Sequence, residues 1–251
     1  MEDESGDLLF ELSNDDRLRI LQELEKRPKN LVNISKSIEL TAQGTSRNIA
    51  RLIQTSLISR NPNGEYELTP YGNTALKLLG SYKFLSKNRQ YFLSHDTSVL
   101  PYYFLNRLGE LEASTYQGDF ITTFAIAEKM MGAAERYVYA MEEQMHPNAP
   151  PIVDEQLKKG VIFKTILPET IVPPPGFRPA AGVERRLLPE VKVNLFLTDK
   201  GAIFGFPTIE GKIDYGIFIG EDQRFHRWCL DLFNLYWEQG KPLSGPVPNL
   251  S

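Results

Sequence analysis

Residues 30–69 constrain the fold more than any other part of the chain, because two short helical patterns and a hairpin pattern follow one another there without a gap. The segments are, in order, helices near 31–38 and 41–54, and strands near 57–60 and 66–69 around Asn61-Pro62-Asn63-Gly64. Proline and Asn-Gly supply the turn geometry that a hairpin needs. This order predicts a winged helix-turn-helix, a fold typical of proteins that read double-stranded DNA.

The second helical pattern has two different faces. Thr45, Ile49, Leu52 and Ile53 recur at helical spacing and predict a buried face. Glutamine can bond adenine and arginine can bond guanine in the major groove, so the polar face favours base contacts. The predicted DNA-binding residues are Gln43, Ser46 and Arg47 on bases, Lys36 and Arg51 on phosphates, and Arg60 and Asn63 at the hairpin tip. An exposed arginine also occurs commonly as a solvated side chain with no function.

Charge supports the DNA interpretation. Residues 29–60 carry five basic side chains and one acid, a local balance of +4 in a chain whose total is −4. The basic residues are Lys29, Lys36, Arg47, Arg51 and Arg60, and the acid is Glu39. A basic stripe on an acidic protein is typical of a phosphate-binding surface.

Two sequence runs in this region also carry a family resemblance. TSRNIARLIQTSLISR, followed by GEYELTPYG, resembles the recognition helix and wing of prokaryotic regulators of the ArsR and MarR type. The matching positions are Ser46-Arg47, Ser56-Leu57-Ile58 and Tyr66-Leu68-Thr69-Gly72, with Ser56 in place of the commoner glycine. The resemblance covers roughly residues 10–80 and implies a DNA-binding winged helix.

Composition places the chain among soluble globular proteins. At 251 residues, with 41% hydrophobic and 24% charged residues, it is long enough for two domains with their own cores. It has no apolar run of membrane-spanning length, and its start, MEDESGD, is unlike a signal peptide. The single cysteine, Cys229, fits a reducing compartment. We therefore expect a cytoplasmic protein that does not enter a membrane.

Two segments flank the predicted winged helix. Residues 1–16 hold seven acids and no basic residue, which predicts a mobile lead-in before a supporting helix near Leu18–Leu24. After the wing, apolar residues at three- and four-residue steps predict one long helix from Pro70 to about Leu93. The apolar positions are Ala75, Leu78, Leu79, Tyr82, Leu85 and Phe92. This stripe either belongs to the core or meets the same helix of a second subunit in a homodimer; the resemblance favours the dimer.

The rest of the chain predicts a second domain, so we place the domains at 10–94 and 95–242. Residues 96–251 carry 15 basic and 20 acidic residues, a balance of −5 that argues against DNA contact. Their pattern predicts an α/β sandwich with a mixed sheet. The expected strands lie near 113–116, 136–141, 161–167, 191–197, 202–206 and 215–219, and the expected helices near 122–134, 154–159 and 222–238.

Residues 168–189 contain six prolines, too many for a helix or an inner strand. A long irregular segment inside a compact domain is either a disordered loop or a lid over a pocket. Aromatic residues and Arg178, Arg185 and Arg186 suggest a small-molecule pocket in this domain. The aromatic candidates are Tyr116, Phe124, Tyr137, Tyr139, Phe196 and Phe206.

The titratable residues of the sequence form no recognised catalytic or metal-binding pattern. His95, His146 and His226 are far apart, and none has a partner at metal-ligand spacing. No phosphate-binding loop, nucleophile elbow or zinc-protease helix occurs. We expect Cys229 to be a core residue. The sequence therefore predicts no metal, no cofactor and no enzymatic activity.

A second resemblance concerns this domain. KVNLFLTDKGAIFGFPTIEGKIDYGIFIGEDQRFHRWCLDLFNLYWEQGKP looks like the end of the effector domain of archaeal methanogenesis-regulator-like proteins. The layout is also similar to the phospholipase-D-like domain of the TrmB regulators. No histidine is followed two residues later by lysine, so the phospholipase D motif is missing. The resemblance implies an archaeal transcription regulator whose second domain senses a ligand or partner.

Two alternatives remain at this point. A winged helix can serve as a protein-interaction module in a scaffold, although such a module would not need Arg47, Arg51 and Arg60 together. An enzyme with a winged-helix appendage would need a convergent polar cluster, which the sequence does not show.

Overall fold

The computed structural model describes residues 5–144, 149–173, 178–214 and 216–243. Contacts divide the chain into two compact units, residues 1–80 and 81–251. This division lies earlier than the predicted boundary between residues 94 and 95. The reason is that Phe84 and Tyr91 are buried in the core of the second unit.

The N-terminal unit has the element order predicted for a winged helix. Its elements are α1 (Ser5–Leu12), α2 (Asp15–Lys26), α3 (Leu31–Ile38), α4 (Ala42–Gln54), β1 (Ile58–Arg60), β2 (Tyr66–Leu68) and the first part of α5 (Pro70–Lys87). β1 and β2 pair antiparallel, with Arg60 opposite Tyr66. Isoleucine and leucine side chains from α2, α3 and α4 form the core.

The acidic N-terminal segment differs from the predicted mobile lead-in, because α1 is helical and packs on this core. Leu12 is buried there, and Leu8 is partly buried beside it. The carboxylate of Glu11 is also buried and forms an ion pair with Arg17 on α2. The apolar contacts of Leu8 and Leu12 and the Glu11–Arg17 ion pair hold α1 against the rest of the N-terminal unit.

The junction between the wing and α5 depends on a close backbone approach. A Cβ atom at Gly72 would lie 1.9 Å from the carbonyl oxygen of Leu57. Thr69 fixes this approach: its hydroxyl accepts a hydrogen bond from the Gly72 N–H and donates one to the Ser56 carbonyl. Ser56 itself has φ = 60°, in the left-handed region that favours glycine. Three of the positions that carry the ArsR- and MarR-type resemblance, Ser56, Thr69 and Gly72, are thus positions where the backbone geometry restricts the residue type.

The predicted helix from Pro70 to Leu93 is two helices. α5 ends at Lys87, and α6 (Arg89–Phe92) follows after Asn88. The Asn88 side chain donates to the Phe84 carbonyl, which occupies an acceptor of the last turn of α5. Phe84 and Tyr91 are both buried, so side-chain packing accompanies the interruption.

The C-terminal unit is built on an eight-stranded mixed sheet, which confirms the prediction of a mixed α/β unit. The remaining helices are α7 (Tyr102–Leu105), α8 (Phe120–Ala133), α9 (Ala149–Lys158) and α10 (Gln223–Gln239), with a 3-10 turn at Leu108–Leu111. The strands are β3 (Thr115–Gln117), β4 (Tyr137–Met141), β5 (Ile162–Pro168), β6 (Glu184–Leu188), β7 (Asn194–Thr198), β8 (Gly201–Gly205), β9 (Ile217–Gly220) and β10 (Lys241–Pro242). Their order is β10-β6-β5-β4-β7-β8-β9-β3, and only the β4–β5 and β5–β6 pairs are parallel.

Helices cover both faces of this sheet. One core lies under α10 and includes Trp228, Cys229 and Phe233, so the predicted structural role of Cys229 is confirmed. The other core lies under α8 and α9 and includes Met131 and Val153. Asp199 and Lys200 form the short connection between the antiparallel strands β7 and β8.

The prediction that residues 168–189 form no inner strand is wrong. β6 lies inside that segment and pairs with β5 on one side and β10 on the other. The physical reason is local, because all six prolines lie outside Glu184–Leu188, and this short run keeps every backbone N–H. Residues 174–177 of the segment lie outside the described part of the chain.

We expect Gly72→Ala to destabilise the N-terminal unit by about 1–3 kcal/mol, because the added methyl group would force Leu57 and Gly72 apart. Ser56→Gly should act in the opposite direction, by about 1 kcal/mol, since glycine tolerates the positive φ. Both tryptophans lie in the C-terminal unit, so tryptophan fluorescence does not report on unfolding of the N-terminal unit. Hydrogen exchange of the α4 amides measures the stability of that unit instead.

Gly6→Ala is the matched control, because no atom lies within 4 Å of the Cβ position there. Equal exchange rates in Gly72→Ala and Gly6→Ala would contradict the proposed close approach.

Candidate nucleic-acid interface

The relation between α3 and α4 is fixed by a short turn and by hydrogen bonds. Glu39 ends α3 in the left-handed conformation, and the Thr41 hydroxyl caps α4 by accepting from the Gly44 N–H at 3.1 Å. Farther along, the hydroxyls of Ser35 and Thr45 are 2.9 Å apart, and Thr45 is fully buried. These contacts hold the two helices as one rigid pair with a defined rotation of α4.

That rotation turns the predicted base-reading residues outward. Gln43, Ser46 and Arg47 are all exposed, and their i, i+3, i+4 spacing places them on one face near the start of α4. Lys36 on α3 is exposed as well. Within the described part of the chain, no hydrogen bond or ion pair engages the charged group of Arg47 or Lys36. Both cations are therefore available to a ligand.

Arg51 is in a different state, because it is already paired within the unit. Its Nη2 and Nε atoms lie 2.6 and 3.1 Å from Oε1 of Glu11 on α1, and these hydrogen bonds raise the pKa of Arg51. Its guanidinium also lies over the ring of Phe10, 5.5 Å from the centroid. The side chain stays 52% exposed. A phosphate at Arg51 would therefore share the guanidinium with Glu11.

Glu11 is the residue that the sequence pattern did not single out. It is 1% exposed and also contacts Nε of Arg17 at 2.6 Å, so one carboxylate joins α1, α2 and α4. Seven acids in sixteen residues suggest a solvated tail, and no local signal distinguishes Glu11 from the others. Only its i−3 and i+1 apolar neighbours, Leu8 and Leu12, could have indicated a buried side.

The wing tip is a tight loop that fixes Arg60 and Asn63 at its exposed end. The Gly64 N–H donates to the Asn61 carbonyl, and the Asn61 N–H donates to the Glu65 carbonyl. Gly64 has φ = 82°, as a loop of this geometry requires, whereas Asn63 does not have a positive φ. Arg60 folds back over the tip and donates through Nε to the Gly64 carbonyl at 3.1 Å.

The surface formed by residues 29–60 is less positive than their own charges suggest, because acids from outside this range pair with two of its basic residues. Lys29 forms an ion pair with Glu23 on α2, as Arg51 does with Glu11. Hydrogen bonds from Lys26 and Lys29 lower the pKa of Glu23 to about 2, so this acid stays ionised at neutral pH. Among residues 29–60, the basic side chains that form no ion pair with a described residue are then Lys36, Arg47 and Arg60, which lie on α3, α4 and the wing.

The histidines and Cys229 show structural contacts. His95 is buried between the Tyr91 carbonyl at 2.7 Å and the Asp214 carboxylate at 2.9 Å. His226 contacts the Thr198 carbonyl at 2.7 Å, and His146 lies outside the described residues. Burial raises the pKa of the Cys229 thiol well above its usual value. Within the described ranges, no three His, Cys, Asp or Glu residues are grouped as metal ligands.

No protein-family model matches the sequence, and no curated protein sequence matches it. The described helices of the chain also include none that is both long and apolar enough to cross a membrane.

Three solved structures illustrate the structural similarity. TrmBL2, an archaeal chromatin protein, is 14% identical, with 95% of this chain and 100% of that chain covered and a TM-score of 0.41. The phospholipase D family member Nuc from Salmonella typhimurium is 13% identical, with 53% and 99% covered and a TM-score of 0.38. The homodimeric winged helix-turn-helix DNA-binding domain Mb0332 from Mycobacterium bovis is 19% identical, with 36% and 91% covered and a TM-score of 0.29.

Proposed function

We propose that this chain is a DNA-binding transcription regulator that acts as a homodimer and responds to a small molecule. The observation that carries the proposal is the exposed face of α4, where Gln43, Ser46 and Arg47 lie together at the start of a rigidly held helix. Arginine and glutamine at this position can form bidentate bonds to guanine and adenine in the major groove.

The remaining predicted contacts complete a surface for duplex DNA. Lys36 and Arg51 would contact phosphates beside the major groove, and Arg60 and Asn63 would reach the adjacent minor groove or its phosphates. Arg60 would have to leave the Gly64 carbonyl to extend toward DNA, or it would use its free guanidinium nitrogens. Phosphate contacts position the protein, whereas the α4 side chains would select the sequence.

The apolar stripe of α5 supports a homodimer. Tyr71, Leu78, Tyr82 and Leu85 are all exposed, and at 100° per residue they lie within about 60° of arc. Leu78 and Tyr82 are 65% and 64% exposed. Such a stripe, about 21 Å long at 1.5 Å per residue, suits the same helix of a second copy. Ala75, Leu79 and Phe92 of the predicted stripe pack within their own units instead.

Cavities beside the C-terminal sheet support the sensing part of the proposal. Two apolar cavities lie next to each other on the sheet face that α8 and α9 cover, and both are lined by Met131, Glu142 and Phe196. Of the aromatic residues that the sequence suggested, Phe124 and Phe196 line these cavities. Tyr137 and Tyr139 instead stack on each other, and Tyr139 also stacks on Phe233 under α10.

One observation favours a second candidate, a protein-interaction module. Arg51 and Lys29 are already paired with glutamates of the same unit. The apolar side chains of Val32 on α3 and Ile53 on α4 are exposed. A partner protein would bury these apolar groups, whereas a DNA groove would not require them.

The DNA proposal predicts different effects for two basic residues. Arg47→Ala should cost about 1–3 kcal/mol of binding free energy on the preferred duplex and little on random duplex, because it removes a base contact. Lys36→Ala should weaken both duplexes alike and reduce the salt dependence of binding by about one counterion. Fluorescence anisotropy across a salt series measures both quantities. Equal losses on both duplexes for Arg47→Ala would exclude it from base reading.

The dimer proposal predicts that Leu78→Glu produces a monomer with weaker DNA binding. A carboxylate in the centre of the stripe would have to be buried against the partner helix, which is unfavourable without a cation. Sedimentation velocity at micromolar concentration measures the change. Lys77→Glu is the control, since Lys77 is exposed on α5 but lies away from the stripe. A wild-type chain that sediments as a monomer would contradict the proposal.

A further inference from the structure

One of the two cavities, the one between the sheet and α9, has charged as well as apolar residues in its lining. Its volume is about 80 Å³, and it is partly open to solvent. Its walls come from strands β4 to β7 and from helices α8 and α9. The apolar lining includes Met131, Val138, Ala140, Val153, Phe163 and Phe196. This apolar lining suits the apolar body of a small organic molecule.

Arg185 is the single basic residue among the described residues that line this cavity. It lies on β6 opposite Thr165 of β5, which in turn lies opposite Ala140 of β4. Cross-strand neighbours direct their side chains to the same face of a sheet, so all three residues face the cavity. The guanidinium therefore lies at one edge of an otherwise apolar surface.

The guanidinium of Arg185 has no anionic partner among the described residues. Its Nη1 and Nη2 atoms donate to the carbonyls of Val183 and Ala180, at 3.2 and 3.3 Å. These two bonds leave other N–H donors of the guanidinium unused. Loss of hydration lowers the pKa of Arg185, and none of the carboxylates that the structure describes forms an ion pair with it to oppose that effect. A partly buried cation in this state is stabilised by an anion from outside the chain.

The next residue along the strand shows what a structural arginine looks like in this fold. Arg186 faces the opposite side of the sheet, donates to the Trp237 carbonyl at 2.6 Å and lies over the Trp237 ring at 4.7 Å. Its guanidinium is thus held by a strong hydrogen bond and an aromatic face. The bonds of Arg185 to described residues are two longer ones, to carbonyls of the adjacent turn.

Glu142 is the other charged residue among the described ones that line the cavity. It follows the end of β4 and lines the second cavity as well. Loss of hydration raises its pKa to about 7, and no cation within the described part of the chain forms an ion pair with it. In its neutral form the carboxyl group can donate a hydrogen bond to an oxygen atom of a ligand.

We propose that this cavity binds a small molecule with an apolar body and a terminal carboxylate, and that the Arg185 guanidinium recognises the carboxylate. The planar guanidinium offers two parallel N–H donors, which match the two oxygens of a carboxylate. The apolar lining then sets the shape of the body. This inference rests on the sensing part of the proposed function and names the class of its ligand.

The test is isothermal titration of the full-length protein with two pairs of probes. Hexanoate and 4-phenylbutyrate are the anions, and hexanamide and 4-phenylbutanamide are their neutral counterparts of nearly equal shape. We expect at least one carboxylate to bind about tenfold more tightly than its amide. Failure of both carboxylates to bind, or equal binding of each acid and its amide, would overturn the proposal.

Variants assign the preference to Arg185. Arg185→Gln should remove the difference between acid and amide, while Arg136→Gln should keep it. Arg136 is a matched control because its side chain is 74% exposed and it is not among the lining residues. Ala140→Leu should fill the cavity and weaken both members of a pair. A carboxylate preference that survives Arg185→Gln in a folded protein would overturn the assignment.

The same titrations separate this inference from the proposed function. Carboxylate binding without any DNA binding would leave the cavity assignment intact and remove the regulator. DNA binding without carboxylate binding would overturn the cavity assignment and leave the proposed DNA-binding function intact.

Discussion

The burial of Thr45, Ile49 and Leu52 is the constraint on which the candidate interface depends. These side chains fix the rotation of α4, and the Ser35–Thr45 hydrogen bond fixes α4 to α3. Because an α-helix advances 100° per residue, burial of this face leaves the Gln43–Arg47 face exposed. The capping bond from Thr41 defines where α4 begins, so the base-reading side chains of the proposal lie in its first two turns.

Ion pairs reduce the number of free basic side chains near α4, and a count of charges in the sequence does not show this. A local balance of +4 counts every basic residue as free, but Lys29 and Arg51 each form an ion pair with a glutamate that is distant in sequence. Glu11 lies forty residues before Arg51 and reaches it only because α1 packs beside α4. In the C-terminal unit the effect is the opposite, since Arg185 forms no ion pair with any described residue although this half of the chain is acidic.

Sequence patterns predicted the elements whose periodicity is local, and they failed where distant contacts decide. The helix-turn-helix, the wing and the mixed sheet follow from apolar spacing and turn residues. α1 was missed because its seven-acid segment looks solvated, although Leu12 and Glu11 are buried by α2 and α4. β6 was missed because six prolines in the segment obscured a five-residue run without proline. The seven proposed DNA contacts were predictable as exposed polar residues, but the Glu11–Arg51 pair was not.

The most direct test of sequence-specific DNA binding is selection of bound duplexes from a random pool by the full-length protein. A homodimer with one α4 helix per copy predicts an enriched, near-palindromic site with half-sites about one or more helical turns apart. Arg47→Ala should select sites with relaxed preference at one position of each half-site. Recovery of an unenriched pool at low salt, with binding that disappears as salt rises, would contradict the account, because it would show phosphate attraction without base reading.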